Sequence, residues 1–144
     1  MSKERDKMIE ALKSIIVSQL RKKGFKGSFP HFRRAGKTRI DLLSFQFDRH
    51  GGGFVIEISK CPPDGITTGW GKHIPANKVG AWDMHPDERL RLKPGPGSST
   101  DDWFRYDKNP LHFTGSVYEK TARSVLPFLD EADQWWAESS ARPV

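Results

Sequence analysis

A chain of 144 residues with 35% hydrophobic, 11% aromatic and 29% charged side chains has the length of one domain and too many rings to read as disordered. Its single cysteine, Cys61, excludes an intramolecular disulfide framework. The longest apolar run near the start, Ile15-Ile16-Val17, falls short of a secretion-signal core or a membrane span, so the expectation is a cytoplasmic protein with no membrane partner. The net charge of +6 is uneven: residues 1–40 hold 12 Lys and Arg against 3 acids, and the remainder holds 12 against 15. Such a basic quarter suits a phosphate backbone or an acidic partner, and equally a solvated helix face beside an exposed strand.

Ile9, Leu12, Ile16 and Leu20, supported by Met8 and Ile15, recur at helical spacing over residues 3–23. Glu4 and Asp6 in the first turn and Arg21, Lys22 and Lys23 in the last complement the helix dipole. Gly24 then offers a left-handed cap, with Phe25 folding back onto Leu20. Phe29–Arg34 reads as a short strand that Pro30 confines to an edge, and Ala35-Gly36-Lys37 as a turn. In Thr38–Phe47, Asp41, Leu43, Phe45 and Phe47 share one face and Ile40, Leu42, Ser44 and Gln46 the other. The glycine-rich Asp48–Gly52 leads into Gly53–Ser59, with Phe54, Ile56 and Ile58 on one face, and completes a hairpin.

From Lys60 to Glu88 the periodicity disappears, and unpatterned stretches of this length are often functional. Trp70 and Trp82 either fill a satellite core beneath this loop or line a site, core being the ordinary outcome. Glu88–Lys93 alternates as a strand with leucines inward and cations outward, Pro94–Ser99 breaks it, and Asp101–Tyr106 adds a short aromatic strand through Trp103, Phe104 and Tyr106. Ser116-Val117-Tyr118-Glu119 fits a capping box. The helix it opens carries Val117, Thr121, Val125 and Leu126, is kinked or split at Pro127, and ends on Phe128, Leu129, Ala132, Trp135 and Trp136. The expected architecture is one α+β domain over 1–144, with an antiparallel sheet of about four to five strands between an N-terminal and a C-terminal helix.

The ordered pieces Lys23-Gly24-Phe25, Phe32-Arg33, Ser44-Phe45-Gln46, Gly53-Phe54, Arg89-Leu90-Arg91-Leu92, Asp102-Trp103-Phe104 and Leu126-Pro127-Phe128-Leu129 resemble the bacterial domain of unknown function 4304 family over roughly residues 10–130. The resemblance implies an α+β fold and brings no activity with it.

No motif announces chemistry. Cys61 has no evident base to activate it and reads as a small apolar residue. None of His31, His50, His73, His85 and His112 pairs at metal-binding helical spacing, although Asp83–Glu88 gathers possible ligands. Gly51-Gly52-Gly53 precedes a strand, so it lacks the helix end of a phosphate cradle. No catalytic residue, metal or cofactor is therefore assigned. The leading expectation is a non-enzymatic, protein-binding or accessory (immunity-like) domain, with Trp70, Trp82, Arg91 and Trp103 as its candidate surface. The alternative is RNA or single-stranded DNA binding through Phe32, Arg33, Arg34, Lys37 and Arg39. A metal- or Cys-dependent enzyme is the third.

Overall fold

In the computed structural model, residues 3–94, 103–107 and 115–140 are described. The N-terminal helix begins as α1 (Lys3–Leu12), passes through a π-helical turn (Lys13–Val17) and ends as α2 (Ser18–Lys22). Met8, Leu12, Ile16 and Leu20 are its buried residues, four apart throughout. An α-helix turns about every 3.6 residues, so strict fours drift around its surface. The wider π turn brings Ile16 and Leu20 back over the sheet, whereas Ile9, expected in the stripe, is only partly buried. Gly24, at φ +96°, ends the helix. The Phe25 N–H donates to the Leu20 carbonyl (2.9 Å) and the Gly24 N–H to that of Arg21 (3.0 Å), the paired bonds of a Schellman ending.

The main sheet is antiparallel, in the order β1 (Lys26–Ser28), β2 (His31–Ala35), β3 (Ile40–Phe47), β4 (Gly53–Cys61), β7 (Arg89–Leu92), with β8 (Phe104–Arg105) also pairing β4. β5 (Ile66–Thr67) and β6 (His73–Ile74) form a separate hairpin. Two expectations change here: Phe29-Pro30 is not part of a strand but the turn between β1 and β2, reached through a cis peptide bond, and β2 lies between β1 and β3 rather than on an edge. The expected strand over Asp101–Tyr106 is reduced to β8, while Asp101, Asp102, His112 and residues 95–99 of the expected breaker lie outside the described residues.

α3 (Val117–Ser140) is one helix with Pro127 inside it, so the chain is not split there. The Ser116 hydroxyl accepts the Glu119 N–H at 3.2 Å, the N-cap half of the expected box. Thr121 and Ser124 donate back to the carbonyls of Val117 (2.8 Å) and Thr121 (2.5 Å), side-chain bonds to the helix backbone in the turns preceding Pro127. Burial of Ala122, Val125, Leu129, Ala132 and Trp136 holds the helix in place. The Trp136 indole N–H reaches the Ser59 carbonyl at 2.9 Å.

Both faces of the sheet are covered, by different material. Leu43, Phe45, Phe54, Ile56, Ile58 and Leu92 pack against the helices. Ile40, Leu42 and Cys61 meet Val79, Ala81 and Met84 of the long loop, which contains three 3₁₀ turns. The loop therefore does cover a satellite core, but Trp70 is not in it. No helix among the described residues is long and apolar enough to cross a membrane.

Candidate functional site

Antiparallel register places His31 opposite Ser44, Ser44 opposite Glu57, and Glu57 opposite Arg91. Side chains alternate along strands, so this row of four polar residues crosses four strands on the face away from the helices. Its two central members are buried, Ser44 at 2% and Glu57 at 6% exposure. Each has a partner from an outer strand: Ser44 Oγ lies 2.8 Å from His31 Nδ1, and Arg91 Nε donates to Glu57 Oε1 at 2.8 Å. A charge or hydroxyl so placed without a partner would destabilise the fold. The neighbouring row runs Arg33, Leu42, Ser59, Arg89. In it the buried Ser59 hydroxyl has no hydrogen-bond partner among the described residues. The cations of β7 thus face this second layer rather than open solvent.

The loop is fastened over the same face by arginines. Arg33 donates to the carbonyls of Ala76 and Val79, and Arg89 to that of Trp82 at 3.4 Å. The Trp82 ring stands edge-on to His31, with centroids 5.9 Å apart and planes at 83°. Between β2 and the loop is a cleft of about 310 Å³, lined among others by His31, Arg33, Lys78, Trp82 and Asp83. Asp83 Oδ2 accepts the Gly80 N–H at 2.7 Å.

The β5–β6 hairpin projects from this layer. Gly65 adopts φ +89° at its base, where a Cβ would run into the backbone of Ile74 and Ala76. Ile66 and Ile74 pack against the second core. The tip closes by Gly71 N–H to Thr68 O (2.9 Å), Thr68 N–H to Lys72 O (2.8 Å) and Lys72 N–H to Thr68 Oγ1 (3.0 Å). It carries Trp70 at 82% exposure. Of the expected surface, Trp82 and Arg91 share the loop-covered face. Trp70 occupies the hairpin tip, and Trp103 lies half-buried just before β8. No ring contact joins Trp70 or Trp103 to Trp82 among the described residues.

The five residues considered for nucleic acid are distributed over both faces. Phe32 is buried in the helix-side core beneath Arg21. Arg34, also on that side, is bound by Asp41 and Asp133 and lies over Phe25 and Trp136. Arg39 donates to Asp41, Arg33 fastens the loop on the opposite face, and Lys37 is exposed in the β2–β3 turn. Cys61 is 2% exposed and its thiol donates to the Pro62 carbonyl at 3.2 Å. Burial pushes its pKa up, a state opposed to nucleophilic activation. Asp83 serves Gly80, and His85 pairs with Asp87 at 3.4 Å on the surface. Among the described residues no group of three or more His, Cys, Asp or Glu is placed to hold a metal ion.

The sequence reading missed the His31–Ser44–Glu57–Arg91 row. Its one trace there is the polar alternation of Ser44 and Gln46 with Glu57 and Ser59 on the strand faces opposite the aromatic ones. No curated protein and no solved structure matches the chain. A domain of unknown function (DUF4304) matches residues 16–131, a span containing every strand among the described residues, the row, the cleft and the hairpin. On that match, the protein belongs to the domain of unknown function 4304 family.

Proposed function

We propose that this is a protein-binding domain whose anchor is Trp70, presented by the β5–β6 hairpin. The observation that carries the reading is the 82% exposure of this indole on a structured support. Tryptophan is among the residues most enriched at binding hot spots. A tip fixed by its own hydrogen bonds and a base packed on a core loses little freedom on association. From Gly65 to Trp82 there is no acid, while Lys72, His73 and Lys78 flank the indole in sequence. The complementary surface is therefore an apolar slot rimmed by carboxylates. An accessory, immunity-like role suits such a presentation, because blocking a partner requires a preorganised anchor and no reaction chemistry.

The test is affinity capture from the organism that encodes the protein, using the intact chain and its Trp70→Ala variant, followed by calorimetry with the recovered partner. The side chain is solvent-facing, so the variant keeps its fold. Loss of a hot-spot tryptophan costs about 2 kcal/mol or more, or about 30-fold in Kd. Equal binding by the variant, or no stoichiometric partner for either chain, overturns the proposal.

A further inference from the structure

We propose that the cleft between β2 and the Asn77–Asp83 segment is a second, separate binding site, and that its ligand is a nucleoside monophosphate. Three features of the lining converge on that chemistry. Trp82 supplies a half-buried aromatic wall whose edge is fixed by His31, and a flat heteroaromatic base gains from stacking on such a ring. Arg33 spends its hydrogen bonds on the neutral carbonyls of Ala76 and Val79. These orient the guanidinium without cancelling its charge, and Lys78 lies on the same cleft. Together they favour an anion, with His31 as an adjacent polar contact. Asp83 gives one oxygen to the Gly80 N–H, and the carboxylate has lone pairs left for a sugar hydroxyl or an exocyclic amine. Ring, anion and hydrogen-bond donors are the three parts of a nucleotide. Phosphate alone would use one of these features, and a nucleoside two.

The site is also preformed. Arg33 ties the loop to β2 at Ala76 and Val79, and Arg89 reaches the Trp82 carbonyl from β7. A volume of about 310 Å³ falls at the lower end of small-ligand pockets, which begin at about 300 Å³. The larger cleft of about 510 Å³ between the N-terminal and C-terminal helices lacks this combination. Its Arg123 is paired with Glu119, and its Tyr118 ring is taken up by Lys7 and Tyr106.

The experiment is an NMR titration of the isotopically labelled intact chain with adenosine monophosphate, with adenosine alone and inorganic phosphate alone as separate arms. The expected result is saturable shifts confined to His31, Lys78, Trp82 and their neighbours, with the nucleotide at least about tenfold tighter than either part. Lys78→Ala and Lys78→Glu, at an exposed position, should each weaken binding about three- to tenfold while the rest of the spectrum is preserved. Trp70→Ala should leave nucleotide binding unchanged, which separates this site from the hairpin anchor. The proposal is overturned by no cleft shift at millimolar nucleotide, by phosphate alone matching the nucleotide, or by variants that bind like the parent chain.

Discussion

Replacing Asp41 by Ala tests what the basic strands of the N-terminal region are for. Asp41 is 4% exposed on the helix side of β3. It accepts from Arg34 Nε at 2.9 Å and Nη2 at 2.8 Å, and from Arg39 Nε at 2.6 Å. Arg34 is further constrained by the Lys23 carbonyl and Asp133, both at 3.2 Å, with its guanidinium 4.6 Å from the Phe25 ring centre and 5.3 Å from that of Trp136. Deleting one partner of a fully buried pair costs about 3–5 kcal/mol. Here the arginine side chains remain 27% and 24% exposed, and Arg34 keeps Asp133. Solvent therefore screens part of the loss, and about 2–3 kcal/mol is expected. Urea unfolding followed by tryptophan fluorescence should show a lower midpoint at unchanged slope, and Tm should fall by about 5–10 °C for a chain of this size. A loss below about 0.5 kcal/mol would refute the reasoning. It would mean that Arg34 and Arg39 are not committed to the fold, and would return them to the pool of cations available to a phosphate backbone.

Cys61 should react with a thiol reagent at neutral pH at least about 100-fold more slowly in the folded than in the unfolded chain, because burial both shields the sulfur and keeps it protonated; equal rates would contradict its placement beneath the loop. Its raised pKa also has a pH consequence. The thiol's contribution is fully present below the unfolded value of about 8.5 and is lost as pH rises through the folded pKa, so Cys61→Ala should flatten the alkaline decline measured by urea midpoints. Tyr106, whose pKa burial also raises, adds to that decline at higher pH and remains in the variant. Gly65→Ala should destabilise the hairpin by about 1 kcal/mol or more, seen as faster hydrogen exchange at the tip amides, and should weaken partner capture although Trp70 is intact. Parent-like exchange would show that the hairpin base tolerates a Cβ.

Much of the fold was legible in the sequence because its signals are local. The helical spacing of Leu12, Ile16 and Leu20, the Lys23-Gly24-Phe25 ending and the alternation in β3 and β4 each specify an element within a few residues. Cys61 read as a small apolar residue because no base adjoins it in sequence, and it is buried. What eluded the pattern is set by long-range pairing. Pro30 marks a break, but only the pairing of Lys26 with Arg33 and of Ser28 with His31 makes it a turn between two strands. Trp70 and Trp82 looked equivalent in sequence, yet one stands in solvent and the other meets His31, because Val79, Ala81 and Met84 fill the satellite core. The polar row depends on four strands adopting one register, and a slip by a single residue would send each of its side chains to the opposite face. The sequence by itself determined the two long helices, the central β3–β4 hairpin and β7, and which faces of those strands are apolar, since those follow from periods of about 3.6 and 2. Only the tertiary structure decided that the polar faces of β2, β3, β4 and β7 would be stacked into one row and roofed by the loop, because that requires residues from 31 to 91 to meet across the sheet.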